Sequence, residues 1–430
     1  MRYKLPQKAL FIKNRSKLIR HFFADSIAII HSNDEMPRNG DQAFPYRQSS
    51  DFFYLTGLDQ PKCILILCPD HPDKNKREVI FTEKTDEKIA IWEGHKYTKE
   101  EVAEISGVEN IHWLGDFEGQ MRECLLRFDN VYLNQNEYLR FHTEVPLKED
   151  RFINELKAKY PLHKYHRLAP LLKNIRVVKE DEEIDMIKKA GEITGKGFSR
   201  VLKNLKPGAM EYEIEAKLTY EFISNGAAGH AYPPVVASGA NACVLHYIDN
   251  NKECKDGDLL LIDSGAEYGN YASDVSRTIP VNGKFTKRQK ECYEAVLEVQ
   301  KQAIELLVPG TTLKEVNQQV GKMMERAMIE LGLFTNQEVE NQEKENPLYK
   351  KYYMHGVSHY IGLDVHDVGN MDAELKEGMV LTCEPGLYIR EEEIGIRIED
   401  NIRVAESSQN LTYQIPKEAG EIEKLMQTEK

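Results

Sequence analysis

Four carboxylates, spaced as two pairs, constrain this chain more than any other feature. Asp263 and Asp274 stand in LLLIDSGAEYGNYASDVSRT, on either side of the polar, glycine-containing stretch 267–270. Glu384 and Glu399 stand in LTCEPGLYIREEEIGIRIEDN, centred on the acidic turn Glu391-Glu392-Glu393. The flanking segments have strand character, so each pair predicts a β-hairpin. A turn midway between the partners, at Tyr268-Gly269 in the first, sets the acids opposite each other on one face, because side chains alternate along a strand. Apposed like charges repel unless something cationic lies between them, and a metal ion is the simplest candidate.

A single Asp or Glu is ordinarily a solvated surface charge. Asp263 is harder to read that way, because it follows the run Leu259-Leu260-Leu261-Ile262. In GIRIEDN, Arg397 and Glu399 share one face and Ile396 and Ile398 the other, so Arg397 can brace a ligand carboxylate from behind. Between the acid pairs lies MHGVSHYIGLDVHD, with His355, His359 and His366 among small residues. His355 and His359 have the spacing of a helical zinc pair. The HExxH pattern needs a Glu after the first His, however, and Gly356 stands there; Gly356 and Gly362 also disfavour a helix. Upstream, His246 follows the Gly/Ala/Asn loop of GANACVLHY, which could approach a ligand closely. Four acids and one imidazole suffice for a dinuclear site, whose ions, about 3.5–4 Å apart, can activate water and polarise a carbonyl together. A serine-hydrolase reading lacks its GxSxG motif.

The chain has 430 residues, enough for two domains that each bury a core. A net charge of −13 argues against nucleic-acid or anionic-membrane partners, which need a basic face. The opening MRYKLPQKALFIKNRSKLIRHFF has no apolar core of signal-peptide length, and no apolar run is long enough to span a bilayer. Seven cysteines without CxxC spacing suit free thiols in a reducing cytoplasm. A soluble, cytoplasmic protein is expected.

The first part alternates helical and strand signals. A helix is expected over 9–22, and strands at SIAIIHS (26–32), FFYLTGL (52–58), CILILC (63–68), EVIFT (78–82) and NVYLN (130–134). Helical segments at 99–105 and 119–128 complete a small α/β domain. In YPLHKYHRLAPLLKNIRVVK, Pro161 and Pro170 interrupt any long helix, and the boundary is placed near Leu172, giving domains 1–172 and 173–430. The second domain opens with an amphipathic helix from Glu180, with Ile184, Ile187, Ala190 and Ile193 at helical spacing. Further helices are expected over 211–224, 286–307 and 313–331. Helix pairs flanking a curved antiparallel sheet, with the acids on its concave face, make an α+β architecture.

The segments LLLIDSGAEYGNYASDVSRT, HGVSHYIGLDVHDVG, LTCEPGLYI and GIRIEDN resemble the ligand motifs of the pita-bread (creatinase/aminopeptidase-like) metallopeptidases, which include methionine aminopeptidase and prolidase. PYRQSSDFFYLTGLDQP resembles the N-terminal domain of the aminopeptidase P family, and together the matches cover nearly the whole chain. The resemblance implies an α/β N-terminal domain and a pita-bread catalytic domain that releases the N-terminal residue before a proline, through a hydroxide bridging two metal ions. It implies that Asp263, Asp274, His359, Glu384 and Glu399 bind two divalent ions, most commonly manganese, with Asp274 and Glu399 bridging. Glu384 also deprotonates the attacking water, and His246 and His366 stabilise the tetrahedral intermediate and help protonate the leaving nitrogen. His355 lines the proline pocket, Tyr388 and Arg397 support the ligands, and Cys383 points away from them. Trp92, in IWEGHKY, resembles a lid residue, while a core or surface aromatic is the plainer reading. Proline-containing peptides are the implied partners, and a homo-oligomer, dimer or tetramer, the implied assembly. The alternatives are prolidase, which cleaves only Xaa-Pro dipeptides, and less readily methionine aminopeptidase, metal-free creatinase-like chemistry or a binding module that has lost its ligands. This chain lacks none of the five ligand types.

Overall fold

The computed structural model describes residues 2–343 and 345–427. The chain divides into two compact units, Leu5–Arg176 and, with the first four residues, the chain from Val177 onward. Helix α1 (Lys8–Ile19) opens the first unit. Its six-stranded sheet is built from β1 (Ser26–His31), β2 (Ile64–Leu67), β3 (Glu78–Thr82), β4 (Asn110–Trp113), β5 (Asn130–Leu133) and β6 (Lys164–Arg167), in the order β4-β3-β2-β1-β5-β6. The pairings of β2 with β1 and β3 are antiparallel and the rest parallel. β1 and β2 are buried along their whole length, as their unbroken apolar runs require.

One expected strand is a helix. FFYLTGL folds as α2 (Ser50–Thr56), closed by Gly57 in the left-handed conformation at φ 69°. All of Phe52–Thr56 is buried, so the helix has no polar face, and a short run buried all round carries no period to tell helix from strand. The expected boundary at Leu172 falls inside the helix Ala169–Arg176, and the units part at that helix's end.

In the second unit, the helix Asp181–Asn204 buries Ile184, Ile187, Ala190 and Ile193 along one face. Glu211–Ser224 comes next, and then Lys287–Leu306 and Leu313–Glu330. Both acid-bearing segments are antiparallel hairpins. The first turns at Gly269-Asn270, with φ 59° and 64°, the two-residue type I′ geometry that matches strand twist. That turn lies one residue beyond the expected centre, so Asp263 pairs with Ser276 and not with Asp274. A two-residue change of partner keeps both aspartates on one face. The hairpin pinches at Gly265, where a Cβ would lie 1.6 Å from the Ser273 carbonyl oxygen, so only glycine fits. In the second hairpin, Cys383 pairs with Asp400 and Gly386 with Arg397, so Glu384 and Glu399 stand opposite each other as their spacing requires. Its turn carries Glu393 at φ 54°. No helix among the described residues is long and apolar enough to cross a membrane.

Candidate metal centre

The two hairpins and the loop carrying the histidines converge. Asp274, His359 and Glu399 each offer a ligand atom within 4.8 Å of the others, and they form the one such cluster among the described residues. His359 Nε2 lies 3.3 Å from Asp274 Oδ2 and 3.7 Å from Glu384 Oε1. The other ring nitrogen lies 3.0 Å from the Tyr360 carbonyl oxygen. As a donor there, Nδ1–H fixes the tautomer that leaves Nε2 free for a cation. Asp263 is turned toward its supports: Arg397 Nη2 donates to its Oδ2 at 2.6 Å, and the Tyr232 hydroxyl lies 2.6 Å from its Oδ1.

The electrostatics describe a crowded acid cluster. Burial first, and then Asp274, Glu384 and Asp263, push the Glu399 carboxyl well above the usual range. Burial pushes Glu384 up to about 7 against the pull of His359 and Arg397. Burial also raises Asp263. It would raise Asp274 too, but hydrogen bonding and charge from His359 outweigh it and hold Asp274 low. Burial alone would lower His359; hydrogen bonding to Asp274 and the charges of Glu384 and Asp274 carry it up to about 9. Repulsion among buried carboxylates is what a divalent cation relieves. Hard oxygens with one imidazole suit manganese or zinc.

Of the remaining expected residues, His355 and His366 meet members of this cluster, with His355 Nδ1 3.8 Å from Glu384 Oε2. His355 Nε2 is 2.8 Å from the Tyr388 hydroxyl, to which Arg397 Nη1 also donates at 2.9 Å. Burial lowers His355 to about 4, so the ring is neutral at pH 7. His366 is exposed, and its ring packs edge-on to His359 at 4.6 Å. His246, also exposed, is near enough to His355 to contribute to its depression. Cys383 Sγ lies 3.8 Å from the Gln300 carbonyl oxygen. Trp92 belongs to the first unit, on the helix Glu87–Glu93, and is 89% exposed. A core role for it is therefore excluded.

Three supporting residues were not read from the sequence. The Tyr232 hydroxyl sits between Asp263 and Asp274, and burial with three neighbouring acids keeps it protonated. Ser276 Oγ donates to Glu399 Oε2 at 2.8 Å and accepts from Arg397 Nε at 2.8 Å. Asn401 grips the Asp274 backbone, accepting from its N–H at 3.1 Å and donating to its carbonyl at 2.6 Å. Ser276 and Asn401 each lie two residues from a ligand, and strand alternation marks them. Tyr232 has no such signal.

Two family models match: Metallopeptidase family M24 over residues 185–406, and Aminopeptidase P, N-terminal domain, over 11–132. The Xaa-Pro aminopeptidase of Escherichia coli is 36% identical, with 97% of each chain covered. That of Haemophilus influenzae is 35% identical, with 98% of each covered. Among solved structures, zinc-substituted E. coli aminopeptidase P in complex with product has a TM-score of 0.88 at 35% identity, covering 99% of this chain and 100% of that one. The same enzyme with the inhibitor Pro-Leu has a TM-score of 0.87 at 35% identity, covering 98% and 99%.

Proposed function

The chain belongs to metallopeptidase family M24, and from that premise we propose that it is a metal-dependent Xaa-Pro aminopeptidase, removing the N-terminal residue from peptides with proline second. The observation that carries the reading is the apposition of Glu384 and Glu399 beside Asp274 and His359. Asp263, Asp274, His359, Glu384 and Glu399 would hold two divalent ions, for which we favour manganese, with Asp274 and Glu399 as the bridging pair. When bound, such ions supply activated water and a polarised carbonyl at neutral pH, with no protein nucleophile.

The side chains do the rest. Glu384 accepts the proton of the attacking water, as a carboxylate held beside the ions can. A prolyl amide has no N–H to grip, so the ring itself must be recognised and its nitrogen protonated on departure. His355, neutral and held by Tyr388, presents an uncharged face suited to the proline ring. His246 and His366 stabilise the tetrahedral intermediate and deliver the proton. Arg397 offsets the negative charge on Asp263 while orienting Tyr388. We also propose a homo-oligomer in the cytoplasm, since all seven cysteines are free and buried, as suits a reducing compartment.

The test is product analysis on metal-stripped protein, with and without added manganese. Its substrates are an Xaa-Pro dipeptide, an Xaa-Pro-Yaa tripeptide and the matching tripeptide with alanine for proline. Manganese-dependent release of the first residue from the proline tripeptide, with little from the alanine control, is expected. Cleavage of the dipeptide alone would make the protein a prolidase. No cleavage by protein shown to hold metal would leave a peptide-binding module.

A further inference from the structure

His246 stands on a loop that burial holds only in part: Leu245 and Tyr247 pack against a small apolar cluster with Ala242 and Cys243, while the residues between them face out. Val244 is 52% exposed and Ile248 58%, and His246 between them is exposed too. A polar tie fixes the rest of this loop, and its centre is Glu211, the first residue of the helix Glu211–Ser224. The side chain is fully buried, at 0% exposure. Oε1 accepts from the Ser238 N–H at 2.8 Å and from Asn241 Nδ2 at 3.1 Å. Oε2 accepts from the Tyr247 hydroxyl at 2.8 Å and from the Lys252 N–H at 2.9 Å. The Glu211 N–H in turn donates to the Lys252 carbonyl at 2.9 Å. One carboxylate therefore ties the entry of the loop, its first turn, the neighbour of His246 and its exit. A turn along the same helix, Glu215 Oε2 accepts from Asn250 Nδ2 at 2.8 Å, and Asn250 also binds Val236 N–H and the Pro234 carbonyl.

The loop is also pressed against the second hairpin. A Cβ at Gly395 would lie 2.2 Å from the Ala242 carbonyl oxygen, so the loop's first turn rests on the strand that carries Arg397. Burying a carboxylate is costly unless its lone pairs are filled, and here four donors fill them. A glutamine would bring one acceptor and an NH₂ group that faces donors.

We propose that Glu211 is a positioning residue for turnover: it fixes the loop that carries His246, and acts on the reaction through that histidine alone. The inference rests on the role given to His246 above, and a double-mutant cycle separates the two. On full-length, manganese-loaded protein, kcat and KM for an Xaa-Pro-Yaa tripeptide would be measured for native protein, Glu211→Gln, His246→Ala and the double variant, with metal content and thermal unfolding followed alongside. Glu211→Gln should lower kcat by roughly 10–100-fold, the scale of a misplaced group, with KM and metal content little changed. In the His246→Ala background the same change should cost less than about 2-fold, because coupled residues are not additive. Equal losses in both backgrounds, or native turnover in Glu211→Gln, would overturn the inference while leaving His246 its role. Native turnover in His246→Ala would overturn both. Should Glu211→Gln fail to fold or lose its metal, Tyr247→Phe decides, since it removes the hydroxyl tie beside His246 and leaves the Glu211 carboxylate and its other three donors in place. A loss of kcat that vanishes without His246 supports the inference, and an additive or absent loss sinks it.

Discussion

At the scale of single residues, the candidate centre divides into groups that would hold cations and groups that would move protons, and substitution should separate them. Asp274 is 5% exposed, its backbone is gripped by Asn401, and its carboxylate meets both His359 and Tyr232. Asp274→Ala should abolish metal-dependent activity and lower metal content while circular dichroism stays native; full activity would remove the dinuclear reading. His366 packs its ring edge-on against His359 and is not one of the three residues whose ligand atoms cluster. His366→Ala should therefore keep its metal and slow turnover by roughly 10²–10⁴-fold, the range for a lost acid–base group. Parallel loss of metal would make it a ligand. The ligand types and Arg397, two residues from Glu399, were read because strands alternate, and the same alternation marks Ser276 and Asn401, which were not read. Tyr232 was not, since AYPPVV carries no spacing that ties it to Asp263 or Asp274, and only the folded chain brings them together.

Elements explain where sequence reading succeeded and where it slipped. The second hairpin could be registered from its spacing because Glu384 and Glu399 are equidistant from the turn. In the first, the turn is set by Gly269 and Asn270, the pair that tolerates positive φ, and not by the midpoint of the aspartates. FFYLT gave no warning of a helix because every side of it is buried. Behind the second hairpin, Asp400 is wholly buried and joins its strand to Arg277 at 2.7 Å, Lys417 at 2.6 Å and Gln300 at 2.9 Å. Asp400→Asn should cost about 3–5 kcal/mol in denaturant unfolding, because it strands buried cations; a cost under about 1 kcal/mol would show the network to be dispensable. His230 tests the first hairpin's attachment, with Thr219 Oγ1 at 2.7 Å and Ser264 Oγ at 3.0 Å. Burial lowers its pKa to about 4, with Glu215 pulling weakly the other way. A folded-state pKa below the unfolded value of about 6.5 means the unfolded chain takes up the proton first. This group's contribution is therefore intact above pH 6.5 and is lost as the pH falls toward 4. His230→Gln should flatten the stability profile across that window, and an unchanged slope would contradict the assignment.

The whole molecule leaves one inconsistency that a lone chain does not resolve. Both units expose some apolar side chains, and the most exposed are on Leu5–Arg176: Ile91 80%, Trp92 89%, Leu139 99% and Leu162 95%. Covering a side chain of that size is worth about 1.5–3 kcal/mol. Ile91 and Trp92 are also consecutive on one short helix with no buried residue of its own, a surface that a second copy can cover. The expected state is therefore a homo-oligomer, a dimer or tetramer of the 49.6 kDa chain, and sedimentation at micromolar concentration reads it directly. A single 49.6 kDa species over that range would contradict the assembly and return Trp92 to the status of an ordinary exposed aromatic.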